Sequence, residues 1–118
     1  MMRNSSLFNP IFVDIDVKYN AFLKSRLKFL IDANLKKIRG IDEVWIRSSS
    51  HGNVHLKLVM VKPVDFCMMM QIRALCHDDH YRLGLDLRRY YLQGANEVNR
   101  IFDVKNEGVA GEWRRYRY

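Results

Sequence analysis

An α+β domain of the split βαβ type is the fold this sequence predicts, and three observations predict it. Two stretches, Ile11 to Val17 and Val54 to Val61, alternate apolar and polar residues with a period of two. Two others, Leu23 to Ile38 and Val64 to Cys76, repeat apolar residues at helical spacing. The order strand, helix, strand, strand, helix, strand is that of a ferredoxin-like or RRM-like sheet with both helices on one face.

Taken in chain order, residues 1–9 are polar and turn-like, and Asn9-Pro10 marks where regular structure begins. The first few residues are expected to be loose. Ile11, Val13, Ile15 and Val17 then form the apolar side of a strand, with Asp14 and Asp16 between them. Leu23, Leu27, Leu30, Asn34 and Ile38 form one helical stripe, with Lys24, Lys28, Asp32 and Lys36 opposite, and Gly40 supplies a stop. Glu43 to Ser49 alternates again, Val44 and Ile46 against Trp45 and Arg47. Ser48 to Asn53 turns the chain into Val54 to Val61, which makes a hairpin. Pro63 is suited to open a second helix, with Val64, Met68, Ile72 and Leu75 on one stripe, ending near Cys76.

From Tyr81 to Arg88 the even positions Arg82, Gly84, Asp86 and Arg88 alternate with Leu83, Leu85 and Leu87, which predicts a fourth strand. Residues 89–98 are compatible with helix and Arg100 to Lys105 with a further short strand. An irregular extension follows. Its end, Trp113-Arg114-Arg115-Tyr116-Arg117-Tyr118, is basic and aromatic, and it admits three readings: an arm that stacks bases, a frayed end, or an added strand that makes a dimer.

With 118 residues, 48% of them apolar, the chain suits one core and therefore one domain over 1–118. Charge interrupts every apolar stretch before the ~20 residues of a membrane span, and the start lacks a signal-peptide pattern, so an intracellular, cytoplasmic protein is expected, with no membrane partner. Cys67 and Cys76, read on one helix, stand about 13 Å apart at a rise of about 1.5 Å per residue, out of disulfide reach. Twenty Lys and Arg against thirteen acids give a net charge of +7, which favours polyanionic partners.

Alternation decides which polar residues share a face. If the first and third strands lie centrally, the fourth flanks the first, and the apolar sets meet the helices, then Asp14, Asp16, Trp45, Arg47, His55, Lys57, Arg82, Asp86 and Arg88 all point to the open side. Three carboxylates gathered on a rigid sheet repel one another unless a cation neutralises them, which suits Mg²⁺ or Mn²⁺. Such an ion holds a nucleotide triphosphate, with Arg47, Lys57, Arg82 and Arg88 balancing the remaining charge. Charged cross-strand pairs that need no ligand are the plainer account of the same pattern.

Three motifs carry a resemblance. Phe12-Val13-Asp14-Ile15-Asp16, then Ser49-Ser50-His51-Gly52-Asn53-Val54-His55, then Leu85-Asp86 resemble, in order, the signals of the archaeo-eukaryotic primase superfamily, whose catalytic core has an RRM-like half. The resemblance implies that Asp14, Asp16 and Asp86 are catalytic metal ligands for two-metal nucleotidyl transfer and that Ser49 and His55 bind nucleotide phosphates. It also implies a replication-associated setting, with small archaeal virus or plasmid proteins as relatives.

Other constellations are weaker. Cys76-His77-Asp78-Asp79-His80 holds metal-ligand residue types without paired zinc spacing and reads as a polar helix-to-strand turn. Met68-Met69-Met70 reads as core filling plus one exposed Met. GxSxG and P-loop patterns are missing from the sequence. Three expectations follow: a binder of nucleic acid or nucleotide on the open sheet face with primase-like ancestry, an active metal-dependent nucleotidyltransferase, or a homodimeric interaction protein without catalysis.

Overall fold

The computed structural model describes residues 6–95, 98–100, 104–105 and 108–118. β1 (Ile11–Lys18) leads through a short helix, α1 (Tyr19–Leu23), into α2 (Arg26–Lys37), and β2 (Ile41–Ser48) and β3 (Asn53–Met60) form the expected hairpin. α3 (Phe66–Leu75) and α4 (His80–Gln93) follow, then a small ribbon of β4 (Val104–Lys105) and β5 (Gly108–Val109), and finally β6 (Arg114–Arg115). The main sheet has the order β1-β3-β2-β6, each neighbour antiparallel. The architecture is α+β with an open sheet, compatible with the split βαβ arrangement.

Period-two alternation in the first three strands does what it predicts. Ile11, Val13 and Ile15 of β1, Val44 and Ile46 of β2, and Val54, Leu56 and Leu58 of β3 are buried together with Phe22, Ile31, Leu35, Phe66, Met69 and Ile72 from the helices. β-branched residues dominate these strand positions, where their stiff side chains pack well on a pleated surface. Before β1, the Asn9 side chain bonds both backbone groups of Met60 at 2.9 Å and fixes where the chain joins the sheet. The looseness expected of the amino terminus falls on residues 1–5, outside the described residues.

The fourth strand is corrected. Tyr81 to Arg88 lies inside α4, so Arg82, Asp86 and Arg88 stand on a helix and not on the sheet. Leu83 and Leu87 share a helix face as readily as they share a strand face, the segment has no β-branched residue, and Leu and Arg are strong helix formers. Asp79 begins the helix, its carboxylate accepting the Tyr81 N–H at 2.9 Å. The chain between Cys76 and His80 therefore joins two helices. A Schellman closure makes that bend: Asp78 N–H reaches Arg73 O and His77 N–H reaches Ala74 O, both at 3.0 Å, with His77 at φ +61°. The helix expected over 89–98 is the last turn of α4, and residues 96–97 lie outside the described residues. Of the short strand expected over Arg100 to Lys105, Val104–Lys105 is present and 101–103 lie outside the described residues.

Two helical stripes also shift. The first helix breaks at Ser25, whose hydroxyl donates to Phe22 O and caps the Lys28 N–H, and this break resets the phase. Phe22, Ile31 and Leu35 are buried, while Leu23 and Leu30 are 43% and 55% exposed. The second helix starts at Asp65, which caps Met68 N–H at 2.8 Å, and not at Pro63. Its buried stripe is Phe66, Met69, Ile72 and Arg73, leaving Met68 and Leu75 half exposed. The Met triplet divides as expected, with Met69 buried and Met68 outside.

The terminal run adds a strand to the chain's own sheet, where the strand-addition reading had it joining a second copy. Trp45 pairs with Arg115 and Ile46 with Arg114, and Tyr116 N–H bonds Val44 O at 2.8 Å. Tyr116 turns under the sheet, buried, and its hydroxyl donates to Asp32 on α2. Among the described residues, no helix is long and apolar enough to cross a membrane.

Candidate nucleic-acid interface

Strand register arranges the helix-free face of the sheet in two rows. Phe12, Lys57, Trp45 and Arg115 are successive cross-strand partners in one row, and Asp14, His55 and Arg47 in the next. Such direct neighbours lie about 4.5–5.5 Å apart at Cβ, so each row is a continuous surface. Trp113, in the residue before β6, bridges the rows. Its ring centre is 6.3 Å from that of Phe12 and 6.5 Å from that of His55, with the Arg47 guanidinium at 4.3 Å and Lys57 Nζ at 4.7 Å. Around Trp45, Arg115 stands at 5.7 Å and Lys57 at 5.8 Å. Both Trp rings are half-buried, so each keeps an accessible part beside a cation.

In the second row His55 and Arg47 are buried against Trp113, while Asp14 is half-buried. Arg47 Nε donates to His55 Nδ1 at 2.9 Å, and since a guanidinium only donates, Nδ1 holds its lone pair and the neutral imidazole carries its proton on Nε2. That nitrogen faces Asp14 Oδ1 at 3.9 Å. The two polar side chains, 4% and 5% exposed, thus satisfy each other in a site where an unpaired charge would be costly.

Asp86 is not on this face. Arg73, wholly buried, donates from Nε to Asp78 Oδ2 and from Nη1 to Asp86 Oδ2, each at 2.7 Å. The same Asp78 oxygen accepts from Arg82 Nη1, and Asn99 N–H donates to Asp86 Oδ2 at 2.9 Å. Burial pulls the Arg82 guanidinium below its ordinary value; Asp78 opposes that shift and Arg73 adds to it. This network also covers the edge of β1 where a fourth strand was expected. Phe12 N–H bonds Asn99 Oδ1, Phe12 O accepts from Arg82, Asp14 N–H reaches Asp78 Oδ1, and Asp14 O accepts the Asp79 N–H. Side chains and one loop amide therefore do the work of a strand ladder.

Between this network and the hairpin turn lies a cleft of about 350 Å³ lined by Asp14, Ser49, Ser50, His51, Asn53, His55, Asp79, Tyr81, Arg82, Leu85, Asp86, Arg89 and Arg100. It gathers Asp14, Ser49, His55, Arg82 and Asp86 from the residues singled out in the sequence. Asp16 does not line it; that side chain is exposed and accepts from Asn53 Nδ2 at 3.2 Å. Arg88 is exposed on α4, outside the cleft. The Ser49 hydroxyl accepts the Asn53 and His51 N–H groups at 3.0 and 3.3 Å, a turn-forming role. With Asp86 held by Arg73 and Asp16 turned to Asn53, the three aspartates do not surround one point, and among the described residues no group of three or more His, Cys, Asp or Glu is gathered as a metal site.

Sequence reasoning had Trp113 only within a terminal arm that stacks bases, and it missed the seat of that ring over Arg47, the place of Phe12 beside it, and the buried network of Arg73, Asp78 and Asn99. A signal existed for Arg73, which follows Met69 and Ile72 at core spacing with acids close behind it. Cys67 is exposed and Cys76 buried, and both are free thiols. Burial, with Asp78 adding to it, pushes the Cys76 thiol up to about 12. No protein-family model, curated protein or solved structure matches the chain.

Proposed function

We propose that the protein binds single-stranded nucleic acid across the helix-free face of its sheet, with bases stacked on Trp45 and Trp113 and phosphates met by Lys57, Arg115 and neighbouring cations. The observation that carries this reading is the register that sets two half-buried Trp rings among Lys57, Arg47 and Arg115 on the face of the sheet turned away from the buried core. Stacking tolerates any base, and cations beside the rings neutralise the backbone. The net charge of +7 adds long-range attraction. A primase-like ancestry, a replication-associated role and an intracellular, cytoplasmic setting belong to the same proposal.

The test is titration of labelled single-stranded DNA and RNA at rising salt, followed by anisotropy and Trp fluorescence. Affinity should fall linearly in log–log form as counterions are released, and the Trp emission should be quenched. An affinity that ignores salt rejects the reading.

Metal-dependent nucleotidyl transfer with Mg²⁺ or Mn²⁺ is the second reading, favoured by one observation: Asp14, Ser49, His55, Arg82 and Asp86 line a single cleft. In the present arrangement the residues do not fit a metal site, because Asp86 is committed to Arg73 and Asp16 lies outside the cleft. Primer synthesis in Mn²⁺ decides it, with Asp14→Ala and Asp16→Ala as controls; equal product from all three proteins excludes the activity.

A further inference from the structure

The helix side of the molecule carries a surface the nucleic-acid reading does not use. Between Leu23 and Arg39 the only acid is Asp32, and it is occupied: Lys28 Nζ donates to Oδ2 at 2.7 Å and the Tyr116 hydroxyl to Oδ1. Lys24, Arg26, Lys36, Lys37 and Arg39 are exposed around it. Among these cations Phe29 is 79% exposed, Leu30 55% and Leu23 43%. Arg26, Phe29, Leu30, Ala33 and Lys37 succeed one another along the outer side of α2 while Ile31 and Leu35 fill the inner side.

Single exposed apolar residues need no explanation, but an apolar cluster ringed by one sign of charge does. The break between α1 and α2 adds a concave feature. A notch of about 200 Å³ opens there, lined by Leu23, Lys24, Ser25, Lys28, Phe29 and Asp32.

We infer that this face docks an acidic peptide segment of a partner protein, which sets one apolar side chain in the notch between Leu23 and Phe29 and its carboxylates on Arg26, Lys36 and Lys37. Charge complementarity selects an acidic partner, since no unoccupied acid lies on the stripe. The notch selects a peptide over a lipid surface. A bilayer favours a continuous apolar strip along a helix, whereas here the apolar residues gather at the start of α2 and cations end it. Helix-in-groove and side-chain-in-pocket recognition use such anchors. α2 lies on the opposite side of the sheet from Trp45 and Trp113, so peptide and nucleic acid bind together, and the inference stands independently of the nucleic-acid proposal.

The experiment uses the full chain and labelled peptides of Asp and Glu with a central Leu or Phe, against matched peptides carrying Ser there, with and without saturating single-stranded DNA. Binding should need the apolar residue, weaken with salt, persist beside DNA, and fall about tenfold in Phe29→Ala. Lys24→Glu should weaken it as well. Phe29 is exposed, so its replacement should leave the circular dichroism spectrum unchanged. Vesicles of phosphatidylserine and phosphatidylcholine form the second arm. Absent peptide binding, binding indifferent to Phe29→Ala, displacement by DNA, or vesicle binding that Phe29→Ala abolishes would each overturn the inference.

Discussion

Arg73 and Asp86, thirteen residues apart on α3 and α4, meet through a 2.7 Å hydrogen bond from Nη1 to Oδ2 with both side chains out of solvent. This pair, extended to Asp78 and Arg82, joins the two helices to the outer edge of β1, the side away from β3. Asp86 is thereby a structural anion first, and any loss of function on its replacement must be separated from a loss of fold.

Replacing Arg73 by Met should therefore cost about 3–5 kcal/mol, because the buried Asp86 would keep only the more exposed Arg89 at 3.7 Å and Asp78 only Arg82. Urea denaturation measures it. A cost below about 1 kcal/mol would mean that water or Arg82 takes over the role.

On the open face, Trp113→Ala and Trp45→Ala should each weaken single-stranded binding by about 1–3 kcal/mol, with Phe substitutions retaining part of it. Lys57→Ala should weaken all sequences alike and lower the salt slope by about 1. Anisotropy titrations at several salt concentrations separate the two effects.

Gly111 ties the terminal segment to the hairpin, its N–H bonding Ser48 O at 2.9 Å. A Cβ built there would meet Ser48 Oγ at 2.7 Å. Gly111→Ala should thus turn the Ser48 hydroxyl aside, cost about 0.5–1.5 kcal/mol and alter the setting of Trp113. Reduced near-UV dichroism of Trp is the readout, and an unchanged spectrum would refute the contact.

Alkali should destabilise the fold. Burial first, then Asp78, raises the Cys76 thiol to about 12, and burial first, then the hydrogen bond its hydroxyl donates to Asp32, raises Tyr116. Both groups are neutral when protonated and both keep their protons longer in the folded chain. Their contribution is complete below an unfolded thiol value of about 8.5 and is lost as pH climbs towards the folded values, by up to about 1.4 kcal/mol per pH unit for each group. Urea midpoints compared across this range check the sign; stability that rises with pH would contradict it. In the same range the exposed Cys67 should react with a thiol reagent before unfolding and Cys76 only after it.

Much of the interface was legible because strand alternation is strictly local. Once Ile11, Val13 and Ile15 face the core, Asp14 must face away, and the same holds for Trp45, Arg47, His55 and Lys57 across the sheet. Helical phase was less legible, since one cap at Ser25 moved the buried stripe from Leu30 to Ile31.

By itself, then, the sequence determined the three alternating strands, the hairpin, the α+β class and the polar residues that those three strands turn to the open side, because each follows from the period of a short segment. Only the tertiary structure decided that Tyr81 to Arg88 is helix, that Asp86 pairs with buried Arg73, and that the terminal run closes the sheet with Trp113 over Arg47. The last two outcomes rest on partners far along the chain, from thirteen residues upward, and a local pattern holds no information about which distant charge or strand edge will be there to satisfy it.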